Sequence, residues 1–233
     1  MVRNGELAAG EKVNEFVLAE RLAISRGPVR EALRNLEGSG LVCLEKNRGV
    51  FVRVVTTEEA ENIYTVRAAL DRLIGETLAR RVTPAQLARL HKLVERMHLA
   101  SQAGDIDSYY PLNLEFHDLL IEGAANPTLA SMSRRLIDEL HLFRRRSLVQ
   151  GGGLSVSNRE HHDIVGALEA GDPDAAGQAM YRHVIAARDR LFKSLEASRR
   201  TGSSKSKIKE LAQTPAQEGR RTRVVQGSKR EKR

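Results

Sequence analysis

The chain has 233 residues, 41% of them hydrophobic and 29% charged, with a formal net charge of +8; it has room for one large domain or two smaller ones with an ordinary core, and no more. No run approaches the roughly 18–20 consecutive apolar residues of a membrane span, Met1 is followed by polar residues rather than an apolar leader, and the only cysteine, Cys43, can make neither an internal disulfide nor a thiolate metal site. With no tryptophan and 4% aromatics a sheet-rich fold is disfavoured, so the composition predicts a mainly α protein of the cytoplasm.

The first periodic stretch is "NEFVLAERL", residues 14–22, where Val17, Leu18 and Leu22 recur at helical spacing behind Asn14, a good N-cap. After "AIS", Ser25 is placed to cap a second helix that tolerates Pro28 in its first turn, buries Val29, Ala32, Leu33 and Leu36, and stops at Gly38 and Gly40. Next, "LVCLEKNRGVFVRVV" gives two β-rich runs around Asn47-Arg48-Gly49, a hairpin pattern. Helix, turn, helix and hairpin together predict a winged helix-turn-helix over residues 1–56.

From Thr57 onward the texture is helical, and the helix starts are well marked: Thr57 before two glutamates, Thr83 before Pro84, Asn126 before Pro127, Asp172 before Pro173. Apolar stripes run between them: Ile63, Val66, Leu70, Leu73 and Ile74; Leu87, Leu90, Val94 and Met97; Leu129, Met132, Leu136, Leu140 and Phe143. About six helices over residues 57–198 predict an antiparallel all-α bundle, with Pro111 kinking or restarting the third helix and "GGG" at 151–153 breaking the chain after the fourth. The final stretch, 199–233, carries twelve Lys and Arg against three Glu, leaving 26 basic and 27 acidic residues elsewhere. It reads as a disordered basic tail, either solubilising or adding nonspecific DNA affinity. The rest of the chain is close to neutral, so DNA binding must be argued from local arrangement.

Arg26, Arg30 and Arg34 supply that argument. A spacing of four lays them along one side of the second helix while Val29, Leu33 and Leu36 face inward. Such a helix fits the major groove, where arginine can donate two hydrogen bonds to guanine. The competing reading is a solvated helix with Glu31 and Glu37 as salt-bridge partners. The stretch "GEKVNEFVLAERLAISRGPVREALRNLEGSGLV" followed by "NRGVFV" resembles the DNA-binding domain of the GntR family of bacterial transcription factors. That resemblance implies base contacts from Arg26 and Arg30, phosphate neighbours in Ser25 and Arg34, and a wing tip at Arg48-Gly49 entering the minor groove. Two departures stand out. Gly27 occupies a place where the family usually has threonine, which puts one phosphate contact in doubt. In the family "GELAAGEKV" usually follows a first helix, whereas only four residues precede it here. The domain therefore reads as truncated, and an upstream in-frame extension restoring the helix is expected to raise both stability and operator affinity.

The chain has seven histidines. His91, His98 and His141 read as surface or boundary residues. Asn113 and His117 are one turn apart on one helix, so both can reach one point. His161 shares a face with Val165 and Leu168 and points inward, whereas His162 points to water; His183 lies on the stripe of Met180, Ala187 and Leu191. A lone inward histidine is usually a hydrogen-bonded core residue. Three from different helices all need polar partners, and one divalent cation satisfies them together.

The segments "NLEFHDLL", "EHHDIVGALEAGDPDAA" and "MYRHV" resemble the metal-binding motifs of the FCD ligand-binding domain, which characterises the FadR subfamily of GntR regulators. This implies Zn²⁺, Ni²⁺ or a similar ion held by Asn113, His117, His161 and His183, with open coordination positions that accept the carboxylate of an effector. Asparagine in a place more often filled by aspartate leaves the site less negative and should weaken its affinity. Arg67 is a candidate carboxylate partner, against its reading as a solvated arginine.

Three functions compete. The first is a metal-dependent, homodimeric regulator that binds a palindromic double-stranded operator and responds to a small carboxylic acid. The second is a dimeric effector-binding module whose truncated DNA-binding domain no longer works. The third is a zinc enzyme, disfavoured because Glu160, on a different face from His161, and Glu115 and Asp118, facing away from His117, offer no general base.

Overall fold

The computed structural model describes residues 7–38, 40–140, 148 and 153–200, with side chains to residue 197. The expectations about the first four residues, His141, Phe143, Gly151, Gly152 and the tail from 201 lie outside the described residues.

The N-terminal part is a winged helix-turn-helix. Strand β1 (Lys12–Val13) leads into α1 (Glu15–Leu22), where Asn14 caps the first turn by accepting hydrogen bonds from the amides of Phe16 and Val17. Ala23, at φ 53°, turns the chain out of α1, and α2 (Arg26–Gly38) follows after Ser25. Gly40 takes φ +76° beyond the end of α2. Strands β2 (Val42–Glu45) and β3 (Gly49–Val52) pair antiparallel, Val42 opposite Val52 and Glu45 opposite Gly49, closed by Asn47 at φ 62°. The sheet order is β1-β3-β2. Strand β1 was not expected from the sequence, because two residues carry no alternation to read.

Val13, Ala19, Val29, Leu33, Val42, Val50 and Val52 form the small core that holds α2 against the sheet. Beside it an apolar groove of about 350 Å³ opens to solvent, lined by Leu18, Leu22, Ile24, Pro28, Ala32 and Leu36 among others. Leu22 and Ile24 there are 56% and 46% exposed.

The remainder is helical: α3 (Thr57–Ala79), α4 (Pro84–Gln102), α5 (Ile106–Gly123), α6 (Pro127–Glu139), α7 (Gly153–Glu169) and α8 (Pro173–Arg200). Thr83 closes a reciprocal capping box with Gln86, Asn126 caps α6, and Asp172 accepts from the amide of Ala175 at the start of α8. One start differs from expectation, and one open alternative is decided. The cap of α3 is Thr56, not Thr57, because its hydroxyl accepts from Glu59 and two adjacent threonines are equivalent to a reader of sequence. Asp105 caps α5, which runs through Pro111 as one helix rather than starting afresh.

The main core joins Ile74, Leu78, Leu90, Val94, Met97, Phe116, Leu120, Ile164, Leu168 and Met180. Val66, Leu73 and Met132 are not part of it: they are 50%, 45% and 51% exposed. On α3 the inward face is taken by Tyr64, Arg67, Ala68, Asp71, Ile74 and Gly75, and a stripe drawn through apolar residues alone misses a face that contains two charges. Helix α8 lies along α3 with almost no side chain between them at one end: a Cβ on Gly75 would stand 2.7 Å from the carbonyl oxygen of Ala176. This close approach keeps α3 and α8 in register across the region that holds Arg67 and His183.

The two parts meet through Arg53, just after β3, which pairs with Glu59 of α3 and, at 2.9 Å, with Glu139 at the end of α6. Glu139 is 7% exposed in its side chain, also pairs with Arg135, and fills the space where Gly40 has no Cβ. Among the described residues, no helix is long and apolar enough to cross a membrane.

Candidate metal centre and nucleic-acid interface

The turn between α1 and α2 brings Glu15 beneath the first turn of the second helix. Its carboxylate accepts from Arg30 Nε at 2.7 Å and lies 3.5 Å from an Arg26 guanidinium nitrogen. The hydrogen bond from Arg30, helped by the charges of both arginines, holds Glu15 below the usual carboxylate range. Both arginine side chains remain more than half exposed, at 56% and 57%. They share an open polar groove with Lys12, Asn14, Arg48 and Gly49, so the second helix and the wing face one space. Arg48 pairs with Glu45 and lies 5.3 Å from the centre of the Phe51 ring, which Lys12 flanks at 6.0 Å.

The groove thus unites Arg26, Arg30, Arg48 and Gly49. Ser25 and Arg34 are exposed but do not line it. At 3.6 residues and 1.5 Å of rise per residue, a step of four advances about 40°, which puts Arg34 about 80° around and about 12 Å along from Arg26. Glu37 does not serve as an ion-pair partner within the helix: it accepts from the amide of Leu44 at 3.1 Å and ties α2 to β2. Lys12 and Glu15 were not singled out in the sequence, where neither belongs to the arginine row.

The second site lies in the helical part. Helices α5, α7 and α8 bring His117, His161 and His183 together so that one ligand nitrogen from each lies within 4.8 Å of the others. All three are buried, at 3%, 0% and 5% exposure. Asn113, 3% exposed, stands one turn before His117 on the same face of α5, and Tyr109 one turn before that. Phe116 packs its ring 4.5 Å from that of His161. His162 is exposed.

Hydrogen bonding orients two of the rings. His183 Nδ1 donates to Glu160 at 2.8 Å, which leaves its Nε2 facing inward, 3.3 Å from His117 Nε2. Tyr109 Oη lies 3.4 Å from His161 Nδ1. Burial pushes His183 below its ordinary value, opposing the Glu160 carboxylate that would raise it; burial pushes the Tyr109 hydroxyl up to about 12. A neutral His183 is the form that ligates metals. Two imidazole nitrogens about 2.05 Å from one tetrahedral ion stand about 3.3 Å apart, which is the separation of the two inward Nε2 atoms. The residues therefore fit a divalent ion.

Glu160 keeps the face expected of it and gains partners the sequence did not show. It lies on a different face of α7 from His161, as read, but that face meets α8, where it binds both His183 and Arg190; the two guanidinium contacts are 2.6 and 3.0 Å. Those partners lie 23 and 30 residues along the chain, beyond the reach of periodicity within one helix. Glu115 is exposed, and Asp118 faces outward to Arg134. Arg67 is not a solvated arginine. It is 1% exposed, pairs with Asp71 at 3.2 Å, and its charge helps keep His183 unprotonated.

Comparison with known proteins places these two sites in a family. The description "Bacterial regulatory proteins, gntR family" matches residues 1–52, and "FCD domain" matches residues 62–186. The HTH-type transcriptional regulator YdhC of Bacillus subtilis is 29% identical over 184 residues, which cover 78% of this chain and 82% of YdhC. The HTH-type transcriptional repressor RspR of Escherichia coli is 26% identical over 178 residues, covering 76% of this chain and 78% of RspR. Among solved structures, E. coli McbR/YncC has a TM-score of 0.75 at 22% identity, covering 83% of this chain and 92% of that one, a likeness of fold. GntR regulators bind DNA operators, and FCD domains bind small-molecule effectors and often a metal. These relatives are regulators, not enzymes. The chain belongs to the GntR family of bacterial transcriptional regulators, with a helix-turn-helix joined to an FCD domain.

Proposed function

We propose that the chain is a metal-dependent regulator of the FadR subfamily, acting in the cytoplasm, whose grip on DNA is set by a small carboxylic acid. The observation that carries this reading is the convergence of His117, His161 and His183 from three helices into one buried cluster. Together with Asn113 they would hold Zn²⁺, Ni²⁺ or a similar ion. The ion's role is to present open coordination positions to an effector carboxylate, and Arg67, in electrostatic range of His183, would add a positive charge toward it. The proposed division is a DNA-binding domain over 1–56, an effector and dimerisation domain over 57–198, and a basic tail over 199–233.

The homodimer would present two reading helices to the halves of a palindromic operator. Arg26 and Arg30 would contact bases, Ser25 and Arg34 phosphate, and Arg48-Gly49 the minor groove. The exposed Val66 and Leu73, seven apart on α3, supply apolar surface that a second copy could cover. Gel shift at fixed salt tests the interface: Arg30→Ala should lose about 1–3 kcal/mol of discrimination at one base pair in each half-site, and undiminished sequence-specific binding refutes the assigned helix. Metal analysis of the purified protein, followed by thermal shift with a panel of organic acids, tests the sensor.

The open apolar groove beside α2 favours one alternative, a dimeric effector-binding module whose helix-turn-helix no longer holds together. Limited proteolysis separates the two, since that alternative requires residues 1–56 to be digested well before the helical part.

A further inference from the structure

Glu160 supplies no candidate ligand atom, yet it is the one carboxylate hydrogen-bonded to a ring of the histidine cluster among the contacts described. One carboxylate oxygen accepts from His183 Nδ1 and from Arg190 at 3.0 Å, and the other accepts from Arg190 at 2.6 Å. Arg190 stands seven residues after His183, two turns along the same side of α8, so the arginine and the histidine approach one carboxylate from α8 while α7 supplies it. We infer that Glu160 and Arg190 form a paired control on the strength of the metal site: Glu160 raises the affinity of His183 for the ion, and Arg190 holds that gain in check. This inference rests on the metal reading of the site and deepens it.

A carboxylate that accepts the Nδ1–H of an imidazole fixes the tautomer and makes the opposite nitrogen a stronger donor to a metal. In this site that nitrogen is the inward Nε2 of His183, 3.3 Å from its counterpart on His117. A guanidinium bound to the same carboxylate through two nitrogens draws on its charge, so less reaches the imidazole. The ligand set is also short of negative charge, since Asn113 stands where a carboxylate would add one. Glu160 therefore brings anionic charge to the site from behind a candidate ligand rather than as one. Beyond the pair a cavity of about 610 Å³, lined also by Asp189, Lys193 and Ser194, opens outward. The carboxylate thus forms part of the wall between the buried cluster and solvent.

Glu160 is a positioning residue, and the test is a direction as well as a loss. The full chain, stripped of metal, is titrated with Zn²⁺ against a chromophoric chelator, and with Co²⁺ to follow the d–d bands that report coordination geometry. Glu160→Gln keeps an acceptor for His183 and removes the charge; it should bind Zn²⁺ about tenfold more weakly with little change in melting temperature of the metal-free protein. Arg190→Gln should move the other way, binding Zn²⁺ several-fold more tightly. A merely structural pair would lower affinity in both variants. Glu160→Gln binding as tightly as the parent, or Arg190→Gln binding no tighter, overturns the inference while leaving the metal reading standing. A parent chain that takes up no divalent ion overturns both. If Glu160→Gln fails to fold, the direction of the Arg190→Gln change decides alone.

Discussion

The reading groove and the histidine cluster handle charge in opposite ways. Arg26 and Arg30 are more than half exposed and share one carboxylate, so their guanidinium groups can leave Glu15 for a base edge or a phosphate. His117, His161 and His183 are almost sealed from water, with His161 beside the Tyr109 hydroxyl and His183 held by Glu160. A surface that must meet a hydrated polyanion keeps its cations wet, because prior burial would cost more than the new contacts return. A cluster proposed to hold a bare ion needs neutral, fixed ligands, and burial supplies both. The lesson is that similar polar residues serve different chemistry according to how much water is left around them.

Four measurements test that contrast. Phe116→Ala removes the ring packed against His161 and should cost the helical part about 3–5 kcal/mol, read by thermal or denaturant unfolding; a cost near zero would mean that the cluster does not depend on the core beneath it. Arg30→Ala, by contrast, should leave unfolding almost unchanged while operator discrimination falls by the amount given above, seen in gel shifts at one salt concentration. Acidification reports on the buried cluster through His183. The folded protein holds His183 below its ordinary value of 6.5, so the unfolded chain binds a proton that the folded one refuses. Stability of the helical part should therefore fall as pH drops below about 6.5, and a melting temperature flat from pH 7 to about 5 would show that His183 titrates normally. The smallest effect belongs to Glu15→Gln, whose half-exposed ion pairs contribute less than about 1 kcal/mol of stability. Its signature should be a rise in nonspecific DNA affinity at low salt as the two arginines are released, and an unchanged salt dependence would argue against the shared carboxylate.

The parts of the molecule that sequence made legible are those governed by local rules. The caps at Thr83, Asn126 and Asp172 are fixed by side chains bonding amides two or three residues on, a pattern a reader can see. His161 differs legibly from His162 because it shares a face with Val165 and Leu168, which mark the buried side of α7. Arg26 and Arg30 were legible from spacing along one helix. What escaped depended on neighbours far along the chain. The inward face of α3 was misread because Arg67 and Asp71 satisfy each other inside the core, and an apolar stripe passes over such a pair. The partners of Glu160 come from α8, which the geometry of its own helix does not show. Lys12 joins the groove only through its pairing opposite Phe51, which no period in the sequence announces.

The Arg53 clasp has a consequence for the molecule as a whole. Only residues 53–56 separate β3 from α3, and Arg53 among them is held by Glu59 and by the nearly buried Glu139, with Glu139 itself pressed into the gap left by Gly40. The wing root is therefore a stiff wrist rather than a tether. In a dimer, the distance between the two reading hands would be inherited from how the helical bodies sit side by side, and the spacing of operator half-sites would be tuned by bundle packing rather than by linker length.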